Sequence, residues 1–200
     1  HVKRRRQRQM CIRDSDYLTS GGVYIKPNFF NADDFLQMRD GLNELKYEQT
    51  YQPSGVYYGN RLQAFPCYEA DYEKHKDIII NSLQGVLNRD ITDIKVLARK
   101  TLMSEVKKSK SYGKYGFIHR DVDDNNKSLI AGMMYFDQSY DGGTAFFENH
   151  WDKTPDIYVS AYPNRLILYH GHRWHAPAID YTFEERKTLS FFATIGQKNG

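Results

Sequence analysis

His119 and Asp121 lie two residues apart in a segment, residues 116–122, whose composition is typical of a β-strand. Successive side chains of a strand point to opposite faces, so residues two apart share a face. The imidazole of His119 and the carboxylate of Asp121 should therefore project from the same face. With one more histidine from a distant strand, this pair would complete a 2-His-1-carboxylate facial triad. Such a triad holds iron(II) on one face and leaves the opposite positions open for substrate chemistry. The spacing therefore indicates a metal site of the kind that oxygenases use.

Three histidines compete to supply the third ligand: His170, His172 and His175. Gly171 predicts a turn, which would put His170 and His172 at the edge of a strand as surface or supporting groups. His175 opens the next predicted strand, in the sequence Trp-His-Ala-Pro. We therefore favour His175 as the third ligand.

Arg186 opens the last predicted strand, and the period of two places Thr188 and Ser190 on the same face. This polar row would point into a barrel, while the odd-numbered residues 187, 189 and 191 would face the helices. An arginine fork suits a carboxylate held by two parallel hydrogen bonds, and Ser190 or Thr188 can add a hydroxyl donor. Lys187 would take this role only if the register slipped by one residue.

Five short motifs, taken in order, resemble the iron(II)/2-oxoglutarate-dependent dioxygenases, with the prolyl-hydroxylase-like branch nearest. They are His-x-Asp from residue 119, Gly-Gly-Thr-x-Phe from 142, Asn-Arg-Leu-x-x-Tyr from 164, Trp-His from 174 and Arg-x-x-x-Ser from 186. The resemblance covers residues 94–196. It implies iron(II) held by His119, Asp121 and His175, and 2-oxoglutarate gripped by Arg186 with Tyr135 touching the same carboxylate.

The resemblance also implies a reaction. The metal, O2 and 2-oxoglutarate would together hydroxylate a substrate, and the cosubstrate would leave as succinate and CO2. Related halogenases lack the carboxylate ligand so that a halide can bind, and the presence of Asp121 therefore favours hydroxylation. Residues 51–70 and 107–114 match no substrate loop of the branch, so the substrate stays open between a small molecule and a peptidyl residue.

The predicted elements form a mainly β fold with flanking helices, a double-stranded β-helix (jelly-roll, cupin-like) core. Asn31 is a predicted N-cap for a first helix, a loop follows at 51–61, and a second helix covers 71–87. These helices should pack on a sheet as scaffold. The predicted strands are 23–25, 94–103, 115–122, 128–137, 144–148, 157–161, 165–169, 174–179 and 187–195.

The first fifteen residues stand apart from the rest. Residues 5–15 resemble a reading frame of a common transposase-based sequencing adapter, so we expect residues 1–15 to be a non-native or disordered tail. A basic tail for nucleic acid is the alternative. Without them the chain has 22 Lys and Arg against 24 Asp and Glu, a formal charge of −2. The basic balance of the whole chain therefore does not support a nucleic-acid partner.

Length and composition predict a single domain over residues 16–200, with a helical N-terminal support at about 28–90 and a β core at about 91–196. No apolar run is long enough to span a bilayer, so no membrane partner is expected. Two cysteines give no disulfide framework, which makes a cytoplasmic location the default.

Two other classes of protein remain open. A β-helix domain could bind a ligand or a protein partner without turnover, for example as a virion component. Alternatively, a non-oxidative metal cupin could use the histidines between 170 and 175. A pure binding module needs neither a working triad nor Arg186, and a metal cupin should bind metal but ignore 2-oxoglutarate.

Overall fold

The computed structural model describes residues 17–18, 20–52, 65–108, 118–121, 129–137, 141–178, 180 and 182–198. The predictions for residues 1–15 and for most of the loop at 51–61 lie outside these ranges. The helices are α1 Ala32–Glu44, α2 Lys76–Leu87 and α3 Met103–Lys108. The strands are β1 Val23–Lys26, β2 Glu48–Gln52, β3 Phe65–Asp71, β4 Arg89–Leu102, β5 Leu129–Tyr135, β6 Gly143–Phe147, β7 Ile157–Ser160, β8 Leu166–His170, β9 Trp174–Ala178 and β10 Glu185–Lys198.

The described strands form two antiparallel sheets. The larger has the order β1-β8-β5-β10-β4-β3-β2, and the smaller has the order β7-β6-β9. His119 extends the smaller sheet through a single bridge to His175 on β9. Side chains from both sheets, including Phe146 of the smaller and Tyr135 of the larger, pack in one buried cluster. The prediction of a mainly β, jelly-roll-type double-stranded β-helix with flanking helices is confirmed.

The helices α1 and α2 cover the outer face of the larger sheet. The side chain of Asn31 caps α1 by accepting a hydrogen bond from the amide of Asp34 at 2.9 Å, which satisfies one otherwise unpaired amide of the first turn. Both helices bury apolar stripes against Leu189 and Phe191 of β10, and these stripes comprise Met38 and Leu42 from α1 and Ile79, Leu83 and Leu87 from α2. The predicted packing of both helices on a sheet is therefore observed.

The alternation predicted for β10 is observed. Its polar row is nearly fully buried and faces the smaller sheet: Arg186, Thr188 and Ser190. The odd-numbered residues face the helices, where Lys187 places its Nζ 2.8 Å from Oδ1 of Asn43 on α1. The register slip that would have put Lys187 into the barrel does not occur.

Several boundaries differ from the predictions; for example, β4 begins at Arg89 rather than 94, and β2 ends at Gln52, inside the predicted loop. The second helix begins at Lys76 rather than 71, because residues 65–71 form β3, whose second half pairs with β4, and the amide of Tyr72 still donates to the carbonyl of Val96. His75, with a φ of 62°, then turns the chain into the helix. Met103 starts α3 instead of ending a strand. Of the strand predicted at 115–122, the described part 118–121 pairs only at His119.

Candidate metal centre

The structure brings His119, Asp121 and His175 together. The amide of Asp121 donates to the carbonyl of Gly171 at 2.9 Å, which holds the segment carrying the first two residues against the turn before β9. Nε2 of His119 lies 3.8 Å from Oδ1 of Asp121, and Nε2 of His175 lies 3.5 Å from Oδ2. One potential ligand atom from each residue lies within 4.8 Å of those of the other two.

The hydrogen-bond partner of His175 defines its tautomer. Nδ1 of His175 lies 2.9 Å from the carbonyl oxygen of Arg173, and a carbonyl oxygen can only accept. The hydrogen of the neutral ring therefore sits on Nδ1, and the lone pair of Nε2 faces Asp121. Metal-ligating histidines commonly use this arrangement, because the outer hydrogen bond fixes the ring and its tautomer.

The donor set fits a divalent transition metal with open positions. Two imidazole nitrogens and one carboxylate oxygen match the facial triad of non-heme iron(II) sites. The side chains of Asp121 and His175 are 8% and 4% exposed, and that of His119 is 16% exposed. The triad is therefore largely shielded from solvent, with His119 the most exposed member.

The cavity beside the triad contains the polar row of β10. It is lined by His119 and His175 and by Cys67, Arg99, Thr101, Met133, Thr144, Tyr169, Pro177, Arg186, Thr188, Ser190 and Phe192. The Cζ atom of Arg186 lies 5.3 Å from the ring centroid of Tyr135, and the hydroxyl of Tyr135 lies 2.5 Å from Oγ1 of Thr144. Tyr135 thus lies beside two residues that line the cavity, Arg186 and Thr144.

Ser190 lies in the same cavity, and its hydroxyl accepts a hydrogen bond from Nη1 of Arg99 at 3.3 Å. Nε of Arg99 also forms an ion pair with Glu69 at 2.7 Å, in which both side chains are about one-fifth exposed. Sequence reasoning did not single out Arg99, because it belongs to no motif. Only the pairing of β4 with β10 and β3 brings it to this wall.

Sequence reasoning also assigned no role to Tyr169. Its hydroxyl lies 3.0 Å from Oδ2 of Asp121 and 3.2 Å from Nε2 of His175. Burial, and then the neighbouring Asp121 carboxylate, raises the pKa of Tyr169 well above its ordinary value, so the phenol keeps its proton at neutral pH. The alternation of side chains along β8 could have indicated that Tyr169 points into the core, because it lies on the same inward face as Ile167.

The other two candidate histidines stay outside the triad. Nδ1 of His170 accepts a hydrogen bond from the amide of His172 at 3.3 Å, and the two rings stack with centroids 4.8 Å apart. Within the described ranges, the triad is the one cluster of three or more residues able to hold a metal. Arg120 points away from the site and lies over the ring of Trp174, as its position between the two ligands predicts.

Comparisons with solved structures support the fold. A prolyl-4-hydroxylase from Pseudomonas putida matches with a TM-score of 0.57 and 13% identity, over 91% of this chain and 97% of that chain. An oxidoreductase of the 2OG-Fe(II) oxygenase family from Burkholderia pseudomallei matches with a TM-score of 0.60 and 14% identity, over 88% of each chain. HygX from Streptomyces hygroscopicus, with nickel, 2-oxoglutarate and hygromycin B bound, matches with a TM-score of 0.57 and 10% identity, over 91% and 86%.

No protein-family model and no curated protein matches the sequence. The structural matches share few residues with this chain, so they establish a common fold. The chain has the fold of the 2OG-Fe(II) oxygenases, and the resemblance to their prolyl-hydroxylase-like branch is confirmed at that level. Within this fold, a His-Asp-His site able to bind a metal opens onto the cavity that contains Arg186.

Proposed function

We propose that this protein is an iron(II)- and 2-oxoglutarate-dependent dioxygenase that hydroxylates its substrate. The observation that carries the proposal is that the triad of His119, Asp121 and His175 presents its two histidines to the same cavity that Arg186 lines. A protein that only binds a partner has no need of this combination. The matched oxygenase structures support the proposal through their fold, and HygX contains both a metal and 2-oxoglutarate.

Arg186 would bind the distal carboxylate of 2-oxoglutarate. Its side chain is 6% exposed, and a guanidinium in such a site offers two parallel donors that match a carboxylate. The hydroxyls of Tyr135 and Thr144, bonded to each other beside it, would add donors to the same carboxylate. Thr188 is buried on the same face of β10, two residues from Arg186, and lines the same cavity.

His119, Asp121 and His175 would hold the iron, which when bound supplies the redox chemistry that consumes O2 and converts 2-oxoglutarate to succinate and CO2. The protein contributes orientation and shielding. Met133, Pro177 and Phe192 provide apolar walls to the cavity that His119 and His175 line, and such walls limit the access of water to the site.

The substrate would be a small molecule or a peptidyl residue. HygX has hygromycin B bound, which supports a small molecule as one candidate. In the ranges that the structure covers, no helix combines the length and apolarity required to cross a membrane. The cytoplasmic location remains a prediction. The single domain over residues 16–200 remains a proposal.

The proposal is tested by incubating the protein aerobically with iron(II) and 2-oxoglutarate and measuring succinate. With ascorbate added as the two-electron reductant in place of a substrate, slow release of succinate is expected in the wild type and should be lost in Asp121→Ala. Arg120→Ala is the matched control, because this neighbouring side chain points away from the site. A binding module would release no succinate, and a metal cupin would bind the metal without consuming 2-oxoglutarate.

A further inference from the structure

Tyr169 contacts two members of the triad from within the core. Its side chain is on β8, opposite Ala131 of β5 and Val23 of β1, and is 2% exposed. The ring packs edge-on against Phe146, with centroids 5.1 Å apart, and lies 4.7 Å from the ring of His175. The phenol is therefore held by its ring, and its hydroxyl is fixed in position beside the triad.

A phenol hydroxyl has one hydrogen to donate, and two acceptors lie near it. The carboxylate of Asp121 accepts, and so does Nε2 of His175, because the hydrogen of this ring sits on Nδ1 facing Arg173. The contact with Asp121 is the shorter, at 3.0 Å against 3.2 Å, and a hydrogen bond to a charged acceptor is the stronger. Donation to Asp121 leaves the lone pair of His175 available for a metal.

We infer that Tyr169 is a positioning residue, which donates to Oδ2 of Asp121 and holds the carboxylate so that Oδ1 serves as its single metal ligand. Oδ1 is the oxygen on the side of His119, 3.8 Å from its Nε2. A carboxylate that turned to bind through both oxygens would occupy one of the positions that the triad leaves open. This inference rests on the proposed function, since it requires that the triad bind a metal.

The test compares Tyr169→Phe with Tyr72→Phe. Tyr72 is also fully buried, and its hydroxyl donates to the carbonyl of Met38 at 3.2 Å within the helical layer. Both variants lose one buried hydroxyl and keep the ring. We expect the affinity for iron(II), titrated anaerobically, to fall about 10- to 100-fold in Tyr169→Phe, as is typical when a hydrogen-bond partner of a ligand is removed. The affinity for iron(II) should change less than about twofold in Tyr72→Phe, because the hydroxyl of Tyr72 does not contact a metal ligand.

The visible spectrum of the cobalt(II)-loaded protein provides a second readout, since it reports ligand geometry. It should change in Tyr169→Phe and stay as in the wild type in Tyr72→Phe. Equal metal affinities and spectra in the wild type and Tyr169→Phe would overturn this inference but leave the proposed function standing. A tyrosinate-to-iron(III) band in the oxidised wild type that Tyr169→Phe lacks would also overturn it, because Tyr169 would then be a ligand. A wild type that binds no metal would overturn the proposed function as well.

If Tyr169→Phe does not fold, the wild type answers the same question. In protein labelled with 13C at the tyrosine ζ carbon, addition of zinc(II) should shift the Tyr169 resonance and leave that of Tyr72 in place. An unshifted Tyr169 resonance at full zinc occupancy would contradict the inference.

Discussion

His119 and His175 exchange two backbone hydrogen bonds, with each amide nitrogen 2.9 Å from the carbonyl oxygen of the other residue. In an antiparallel pair of this kind, the two side chains project side by side from the same face of the sheet. The ring centroids of His119 and His175 lie 4.2 Å apart. The backbone therefore sets the spacing of the two imidazoles. Asp121 joins them from the same face, two residues beyond His119.

Replacing a ligand should remove metal binding. For His119→Ala and Asp121→Ala we expect the affinity for iron(II) to fall by more than about 100-fold, since even the loss of a ligand's hydrogen-bond partner costs 10- to 100-fold. Anaerobic titration of the folded variants measures this loss. Arg120→Ala, between the two, should bind iron as the wild type does; if it loses affinity to the same degree, the triad is not the metal site.

Replacing Arg186 should separate 2-oxoglutarate binding from metal binding. Arg186→Met keeps the stem of the side chain and removes the charge, so we expect the affinity for 2-oxoglutarate to fall roughly 30-fold or more, in line with the 2 kcal/mol or more that losing one partner of a buried charge pair costs. Calorimetric titration of the metal-loaded protein checks this. Metal affinity should stay nearly unchanged.

Lys187→Met is the control for that experiment, because Lys187 is adjacent in sequence and faces α1 instead of the cavity. It should bind 2-oxoglutarate as the wild type does. If Arg186→Met loses metal and 2-oxoglutarate affinity equally, Arg186 supports the structure and does not grip the cosubstrate.

Gly143 should not tolerate a side chain. A Cβ atom there would lie 2.1 Å from the carbonyl oxygen of Val159 on β7, and a backbone atom cannot move aside as a flexible side chain can. We expect Gly143→Ala to lower the free energy of unfolding by about 1–3 kcal/mol, as overpacking does. Gly85→Ala, where the added Cβ atom would meet nothing within 4 Å, should instead raise it by about 0.5–1 kcal/mol, because alanine favours the helix interior. Chemical denaturation checks both, and equal effects would contradict the packing argument.

Asp137 should make stability depend on pH. Burial raises its pKa above the ordinary value, although the amide of Lys187 donates to its carboxylate at 2.8 Å and opposes the shift. A raised pKa means that the folded state binds the proton more tightly than the unfolded state. The resulting stability is present below the ordinary aspartate pKa of about 3.9 and is lost as the pH rises through the raised value.

Asp137→Asn keeps an oxygen to accept from Lys187 but cannot titrate. The wild type should therefore gain stability relative to this variant as the pH falls from 7 to 4, measured by denaturant unfolding at both values. A difference between the two proteins that stays constant with pH, or changes in the opposite direction, would contradict the account.

Strand periodicity predicted much of the fold and the convergence of the central residues. The spacing of His119 and Asp121, and the alternation through Arg186, depend only on the period of two, which local sequence contains. Residues 65–71 were harder, because Phe-Pro-Cys-Tyr-Glu-Ala-Asp has no alternation and includes a proline. Pairing with β2 and β4 makes this segment a strand, and pairing is a property of the tertiary structure.

The surroundings of the triad could not be predicted for the same reason. Arg99 lies 91 residues from Ser190, and Tyr169 lies 48 residues from Asp121, so no spacing rule links these pairs. Cys67, whose sequence neighbours gave it no role, lines the cavity because β3 extends the larger sheet. The substrate stays open because substrate recognition depends on such long-range neighbours.

The most direct test of the central claim is an anaerobic titration of the apoprotein with iron(II) and then with 2-oxoglutarate, followed by visible absorption. The account predicts a charge-transfer band of the metal chelate that appears with 2-oxoglutarate and is absent in Asp121→Ala. A folded, metal-loaded wild type that shows no band would contradict the oxygenase assignment and favour a binding module or a non-oxidative metal cupin.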